Sequence, residues 1–320
     1  MGEDPAVPSP PGRLRAVARP VVRPTRAVAR RLRRELSVAR SREARAARRA
    51  WRQGEGDRRT LAWPHAVAES QSSGSVACNI CGWRGAAFGG TPHCESATCP
   101  VCGSIARDRF LYWCWTTRTT YDPRAVVLET SPRLDAEYRG RMAARMRYTT
   151  SDFDESAHRG AIRLDLERID LPDASLDVVL TPHVLEHVPD TDKALSELFR
   201  VMRPGGHVLL QVPFPQARTA PPTGPEFHGD STLVHWRFGW DLADTVRRHG
   251  FTCAVLVPEE LRVRAAARQS FSYGGDDIDV DDLMSGADAD AMTVVASADE
   301  SAQLGFAPAF QFVTLHLRRS

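Results

Sequence analysis

Cys78-Asn-Ile-Cys81-Gly and Cys99-Pro-Val-Cys102-Gly are two Cys-x-x-Cys pairs with 17 residues between them, the spacing of a structural zinc site. Each pair can aim two thiolates at one ion, the glycine that follows lets the backbone turn toward sulfur, and four thiolates complete the tetrahedron zinc accepts. With all four positions filled, such a metal has no open site for catalysis, so its role reads as structural. His93 and Cys94 lie between the pairs as alternative ligands, whereas Cys114 and Cys253 read as small buried apolar residues. A second constellation is His183-Val-Leu-Glu186-His187. Histidines of this kind can take a proton near neutral pH. On one helical face, the same His-x-x-Glu-His pattern binds the catalytic metal of certain zinc peptidases.

The segments around these residues alternate between strand-like and helix-like. Strand patterns occur at Ala125–Leu128, Met146–Ser151, Ala161–Leu164, Leu176–Leu180, His207–Val212 and Phe251–Val257, with a last one at Phe310–Leu317 that would close the sheet. Helical patterns fall at Arg107–Trp115, which has a heavy aromatic face, then at Leu134–Ala144, Asp192–Val201 and Leu242–His249. Pro204-Gly205-Gly206 stops the third of these. This is the βαβ rhythm of a parallel sheet. Pro215 to Trp236 reads as a loop able to cover a ligand, with His228 and His235 inside it, and Asp276 to Ala291 reads as an acidic loop. Within the second loop, Asp277-x-Asp279-x-Asp281 has a calcium-like rhythm. Asp282 stands where a calcium loop needs glycine and Asp288 replaces its glutamate, so calcium is not expected.

The 42 basic and 40 acidic residues nearly balance, but the first sixty positions hold 17 arginines against six carboxylates. Residues 1–75 therefore read as an Arg-rich tail and linker, disordered or partly helical, with too little apolar surface to offset chain entropy. Clustered arginines can grip phosphates, although a solvated extension is the simpler reading. No run approaches the ~18 apolar residues of a membrane span, and the paired cysteines suit a reducing compartment, so the expectation is a cytoplasmic protein.

The run from Leu164-Asp165-Leu166, through Asp177-Val-Val-Leu-Thr-Pro182-His183-Val-Leu-Glu186-His187-Val-Pro-Asp190, to Arg203-Pro-Gly-Gly206-His-Val-Leu-Leu-Gln-Val-Pro213 resembles class I S-adenosylmethionine-dependent methyltransferases. Cys99 to Arg107 ahead of it resembles a bacterial subgroup that pairs a Cys-rich head with this domain. The resemblance implies an α/β fold with a doubly wound, seven-stranded, mostly parallel Rossmann-like sheet. A zinc ribbon at 76–104 would precede a methyltransferase domain at 105–320. It further implies S-adenosylmethionine across the carboxyl ends of the first strands, as open α/β sheets bind ligands generally.

Carried over residue by residue, Glu129 would accept from the cofactor's ammonium. Asp152 would hold the ribose hydroxyls, since a carboxylate can accept two hydrogen bonds. Asp165 would sit by the adenine amine, with Leu166 giving a backbone amide and an apolar wall. Thr130, Ser131 and Pro132 replace the Gly-x-Gly turn usual after the first strand, and Pro182 would border the cleft. In such enzymes His183 and His187 line the space between cofactor and acceptor. They are therefore the candidate bases, a hydrogen-bonded turn histidine being the other reading, with His228 and His235 of second rank. The peptidase pattern is set aside because the motif follows a buried strand and no further ligand is apparent downstream. The expected acceptor is a small molecule or glycan. A nucleic-acid (RNA) methyltransferase gripping its substrate with ribbon and tail is the second reading, weakened by the lack of an Asn-Pro-Pro-Tyr-like motif. A non-catalytic binding module is the third.

Overall fold

The computed structural model describes residues 76–89, 97–120, 122–154, 160–228, 232–268, 280–306 and 313–320. The Arg-rich segment 1–75, His93, Cys94, Asp277 and Asp279 lie outside these residues.

β1 (Val76–Ala77) and β2 (Arg84–Gly85) pair antiparallel as a short ribbon, and α1 (Ala106–Arg118) follows. The main body then runs β3 (Val126–Thr130), α2 (Ala136–Arg145), β4 (Arg147–Asp152), β5 (Ile162–Arg163), β6 (Leu176–Pro182), α3 (Thr191–Val201) and β7 (Met202–Gln211). It continues through α4 (Leu242–Arg248), β8 (Phe251–Pro258), α5 (Glu259–Ala267), α6 (Val280–Ser285), β9 (Met292–Ala296), α7 (Ala298–Leu304) and β10 (Thr314–Arg319). Eight strands form one sheet in the order β5-β4-β3-β6-β7-β10-β8-β9. All neighbours run parallel except β10, which is antiparallel to both β7 and β8.

Side-chain alternation along these strands makes the sheet two-faced. Leu128, Val179 and Leu210 point into a core with Leu195 and Leu198 of α3 and Val246 of α4, while Val127, Val178 and Leu209 pack with Phe110, Trp113 and Trp115 of α1 and Met142 of α2. Both faces being covered, the central strands read as near-continuous apolar runs, the signature of a buried parallel sheet. The second core also contains all four cysteines of the paired motifs, so the ribbon packs on the sheet as part of one apolar cluster.

The seven expected strands are present and the expected doubly wound α/β sheet is formed. An eighth strand, β9, adds to the edge beside β8, so the last strand lies inside the sheet rather than closing it. The acidic stretch 276–291 is not wholly loop: α6 and a short 3-10 turn at Ala289–Ala291 occupy part of it. Pro204-Gly205-Gly206 falls inside β7 rather than before it. Gly205 takes φ 78° and the register against β6 shifts there, which is how the strand absorbs the helix-stopping residues. No helix among the described residues is long and apolar enough to cross a membrane.

A candidate cofactor cleft and a four-cysteine cluster

The cleft is built at the carboxyl ends of β3, β4 and β6, which the sheet register brings side by side: Glu129 pairs with Thr150 and Leu180, and Thr130 with Ser151. Glu129 is buried, and its Oε2 accepts from the hydroxyls of Tyr148 at 2.6 Å and Tyr138 at 3.3 Å. Burial, only partly offset by the two tyrosines, pushes its pKa up to about 7. Neither tyrosine was singled out in the sequence. Tyr148 sits opposite Val127 in the β3–β4 register, two residues from Glu129 along the strand, so it shares Glu129's face, but that pairing needs the fold.

After Glu129 the chain turns through Ser131 at φ 46°, a left-handed conformation in which glycine is the usual occupant, while the Ser131 amide donates to the Ser151 carbonyl at 2.7 Å. The turn that the Gly-x-Gly pattern would supply is therefore made without glycine, and Pro132 after it is buried. A narrow cavity opens beside it, lined by Ile80, Asp108, Tyr112, Glu129, Tyr138 and Pro182 among others. Asp152 ends β4, buried, its Oδ1 accepting from the Asp154 amide at 3.2 Å. Asp165 lies just beyond β5 and caps the following turn by accepting from the Glu167 amide at 2.9 Å, and Leu166 is buried in the first core. That turn is fixed from below. Arg200 donates to the carbonyls of Ile169 and Leu171 and to Glu197, whose Oε2 also accepts from the Ile169 amide at 2.8 Å.

Buried polar atoms without a hydrogen-bond partner among the described residues concentrate at this end of the sheet. Thr130 Oγ1, Ser151 Oγ, Thr181 Oγ1 and Gln211 Oε1 all sit at or within one residue of a strand's carboxyl terminus. Orphaned buried groups cost about 1–3 kcal/mol each, so such a cluster marks a place where a ligand can repay the cost. A cofactor with hydroxyl, amino and carboxylate groups suits these donors and acceptors.

His183 follows β6 at φ 50°, another left-handed non-glycine residue, and its amide extends the ladder by donating to the Gln211 carbonyl at 2.7 Å. Burial holds its imidazole well below the ordinary range, so it is neutral in this setting. His187 Nδ1 donates to the Leu233 carbonyl at 2.8 Å. The His187 ring meets His228 edge-on at 4.7 Å, whereas the backbone amide of His235 donates to the Glu186 carbonyl. His183, His187 and His228 are thus gathered at one end of β6.

In the ribbon, Cys78 and Cys102 sulfurs are 3.7 Å apart and those of Cys81 and Cys99 3.6 Å. A tetrahedron with zinc–sulfur bonds of about 2.3 Å has edges of about 3.8 Å, so these two edges are close to what zinc requires, and all four sulfurs lie within 4.8 Å of one another. Two matching knuckles hold them. Gly82 donates to the Cys78 carbonyl and Gly103 to that of Cys99, both glycines at positive φ (78° and 68°), while the amides of Cys78 and Cys99 donate to Trp83 and Ser104.

Residues 127–210 match the family model described as a methyltransferase domain. An arsenite methyltransferase of Aquipseudomonas alcaligenes is 31% identical over 104 residues, covering 30% of this chain and 28% of that protein. A malonyl-[acyl-carrier protein] O-methyltransferase of Serratia marcescens is 44% identical over 46 residues, 14% of this chain and 18% of the other. The chain thus spans less than a third of the length of these curated relatives. Among solved structures, an S-adenosylmethionine dependent methyltransferase from Mesorhizobium loti is 17% identical, covering 44% of this chain and 82% of that one, with a TM-score of 0.35.

Proposed function

We propose that the protein, whose residues 127–210 match a methyltransferase domain model, transfers a methyl group from S-adenosylmethionine to a small-molecule or glycan acceptor, with zinc held by Cys78, Cys81, Cys99 and Cys102. The observation that carries the reading is Glu129, a carboxylate buried at the end of β3 that lines the cavity there. A desolvated carboxylate raised to about 7 is stabilised by a cation brought to it, and the cofactor's ammonium is such a cation. Asp152 would hold the ribose, Asp165 and Leu166 the adenine side, and the turn Thr130-Ser131-Pro132 with Pro182 the walls. S-adenosylmethionine supplies a methyl already activated on a sulfonium. The protein's work is then to position the acceptor and exclude water, with His183 or His187 taking a proton where the acceptor has one to lose. The boundaries 76–104 for the ribbon and 105–320 for the catalytic domain are part of this proposal. The relatives named as an arsenite methyltransferase and a malonyl-[acyl-carrier protein] O-methyltransferase support a non-nucleic-acid acceptor.

Isothermal titration of the zinc-loaded protein with S-adenosylmethionine and S-adenosylhomocysteine tests the reading without the acceptor. Saturable binding is expected, weakened at least ~10-fold by Asp152→Ala, since a lost charged hydrogen bond is worth about 1.5–3 kcal/mol. Binding of neither ligand by folded protein would return the non-catalytic module, and unchanged affinity in Asp152→Ala would remove that residue from the site.

A pH dependence follows from Glu129. Its folded pKa of about 7 lies above the ordinary 4.5, so protonated Glu129 favours the fold below 4.5 and that contribution is lost as pH rises through about 7. Cofactor affinity should run the other way, because the ammonium needs the ionised form. It should fall roughly tenfold per pH unit below 7 and level off above it. Glu129→Gln should flatten this profile. A wild-type affinity flat from pH 5.5 to 8 would separate Glu129 from the ammonium.

A further inference from the structure

Beyond the cysteine cluster, Glu186, His187 and His228 bring their ligand atoms within 4.8 Å of one another. Glu186 is 1% exposed, and neither of its carboxylate oxygens has a hydrogen-bond partner among the described residues. His183 Nδ1 stands 3.5 Å from Glu186 Oε1, too far for a good hydrogen bond. A buried carboxylate left in this condition is costly unless a cation meets it. The surroundings are those of a ligand set. His187 Nδ1 donates to a carbonyl, which leaves the ring's lone pair on Nε2, and metal-bound histidines are held by this kind of second hydrogen bond. The carbonyl is that of Leu233, which bridges to Phe227 in the same strap that presents His228. The strap is pinned over Glu186 by the amides of His235 and Trp236, both donating to the Glu186 carbonyl, and by Arg237 on Glu226. The side chains of His187 and His228 are half-buried, giving an ion a way in from solvent. The ligand absent downstream in the sequence pattern is therefore supplied by a loop 41 residues further on, and the turn Leu185–His187 is 3-10 rather than a long helix.

We propose that Glu186, His187 and His228 form a second metal site, separate from the ribbon, that takes a divalent transition ion through one carboxylate and two imidazoles. Two histidines and a carboxylate suit zinc, iron(II) or cobalt(II) and leave coordination positions open. Resting on the methyl-transfer reading, those positions take an oxygen of the acceptor, so that the acceptor class is an oxygen-donor ligand whose hydroxyl loses its proton to water more readily when metal-bound, His187 then serving as a ligand and not as the base.

The test titrates full-length protein, already loaded with zinc at the ribbon, with cobalt(II) alone. A further equivalent should bind with ligand-field absorption and no sulfur-to-cobalt charge-transfer band. His228→Ala and Glu186→Gln should weaken that uptake by more than ~100-fold, since losing even a ligand's partner costs about 10–100-fold. Ribbon zinc content and S-adenosylhomocysteine affinity should stay at the wild-type level. No further equivalent, a charge-transfer band alone, or uptake that survives both substitutions overturns the site. Failure of cobalt uptake with S-adenosylhomocysteine bound sinks the metal site and leaves methyl transfer standing. Cobalt uptake without S-adenosylhomocysteine binding upholds the site and removes its acceptor role.

Discussion

Replacing Cys99 by serine should strip most of the ribbon's zinc, lower the thermal midpoint by more than ~10 °C and weaken S-adenosylhomocysteine in the same protein. The ribbon has little secondary structure of its own: its two strands are two residues each, and its cysteines are themselves core residues. Structural zinc contributes about 10–16 kcal/mol of apparent binding energy in small domains, which becomes folding energy where no site exists without the fold. Even a third of that shifts a domain of this size by about 10 °C, at about 2–4 °C per kcal/mol.

The loss should reach the cofactor. Ile80, between Cys78 and Cys81, lines the cavity beside Glu129, as do Asp108, Leu111 and Tyr112 of α1. A ribbon that only braced the fold at a distance would leave the pocket intact, but its packing makes it one wall of that pocket. Calorimetry, zinc content and the S-adenosylhomocysteine isotherm on one preparation check this. Chelation of the wild type should reproduce the variant. Full zinc occupancy in Cys99→Ser would instead mean a substitute ligand, with Cys94 the candidate, and unchanged cofactor affinity in zinc-free protein would detach the ribbon from the pocket.

What could be read in the sequence was what is local. The strands β3 and β6 and the second half of β7 are apolar runs bounded by turn residues, and α3 is a clear amphipathic stretch with Asp190 as its N-cap, accepting from the Lys193 amide. β9 escaped because Met292–Ala296 is short and follows an acidic segment. At the sheet edge its Val294 stays exposed, so no buried run announces it. α5 escaped for another reason: Glu259–Ala267 mixes arginine and alanine, with only Leu261 and Ala265 buried, so its helical stripe is too thin to see. The carboxylates could be named from the resemblance. Their environment could not, since Tyr138 and Tyr148 reach Glu129 from a helix and a neighbouring strand. His228 illustrates the same limit, because a strap folded back over the turn after β6 brings it to Glu186.

Arg109→Met should destabilise the protein by about 4 kcal/mol, a loss of about 10 °C in thermal midpoint, while Arg109→Lys should recover only part of it. Arg109 is wholly buried on α1. Its Nε donates to the Leu304 carbonyl at 2.9 Å, Nη1 to Ser104 at 2.7 Å and Nη2 to Gly305 at 3.2 Å, and its guanidinium lies 3.7 Å over the Phe88 ring. One side chain thus ties the second knuckle of the ribbon to the end of α7. Methionine has comparable length but leaves the Leu304 and Gly305 carbonyls without their donor, each orphan costing about 1–3 kcal/mol, and the aromatic face without its cation, while the Ser104 carbonyl keeps the Cys99 amide. Lysine keeps the charge but cannot reach three acceptors with a planar fork. The charge has a second use: burial pushes the guanidinium pKa down, and negative charge on Cys78, Asp108, Cys99 and Cys102 pushes it back up. Four thiolates on one zinc leave the cluster at a net charge of −2, and Arg109 is the buried cation beside it, so zinc should also be held less tightly in Arg109→Met than in Arg109→Lys. Competition with a chromophoric chelator measures that difference. Equal zinc affinity in the two variants would confine Arg109 to its carbonyls, and a midpoint within 2 °C of wild type in Arg109→Met would show that the ribbon and α7 are joined by their apolar contacts alone.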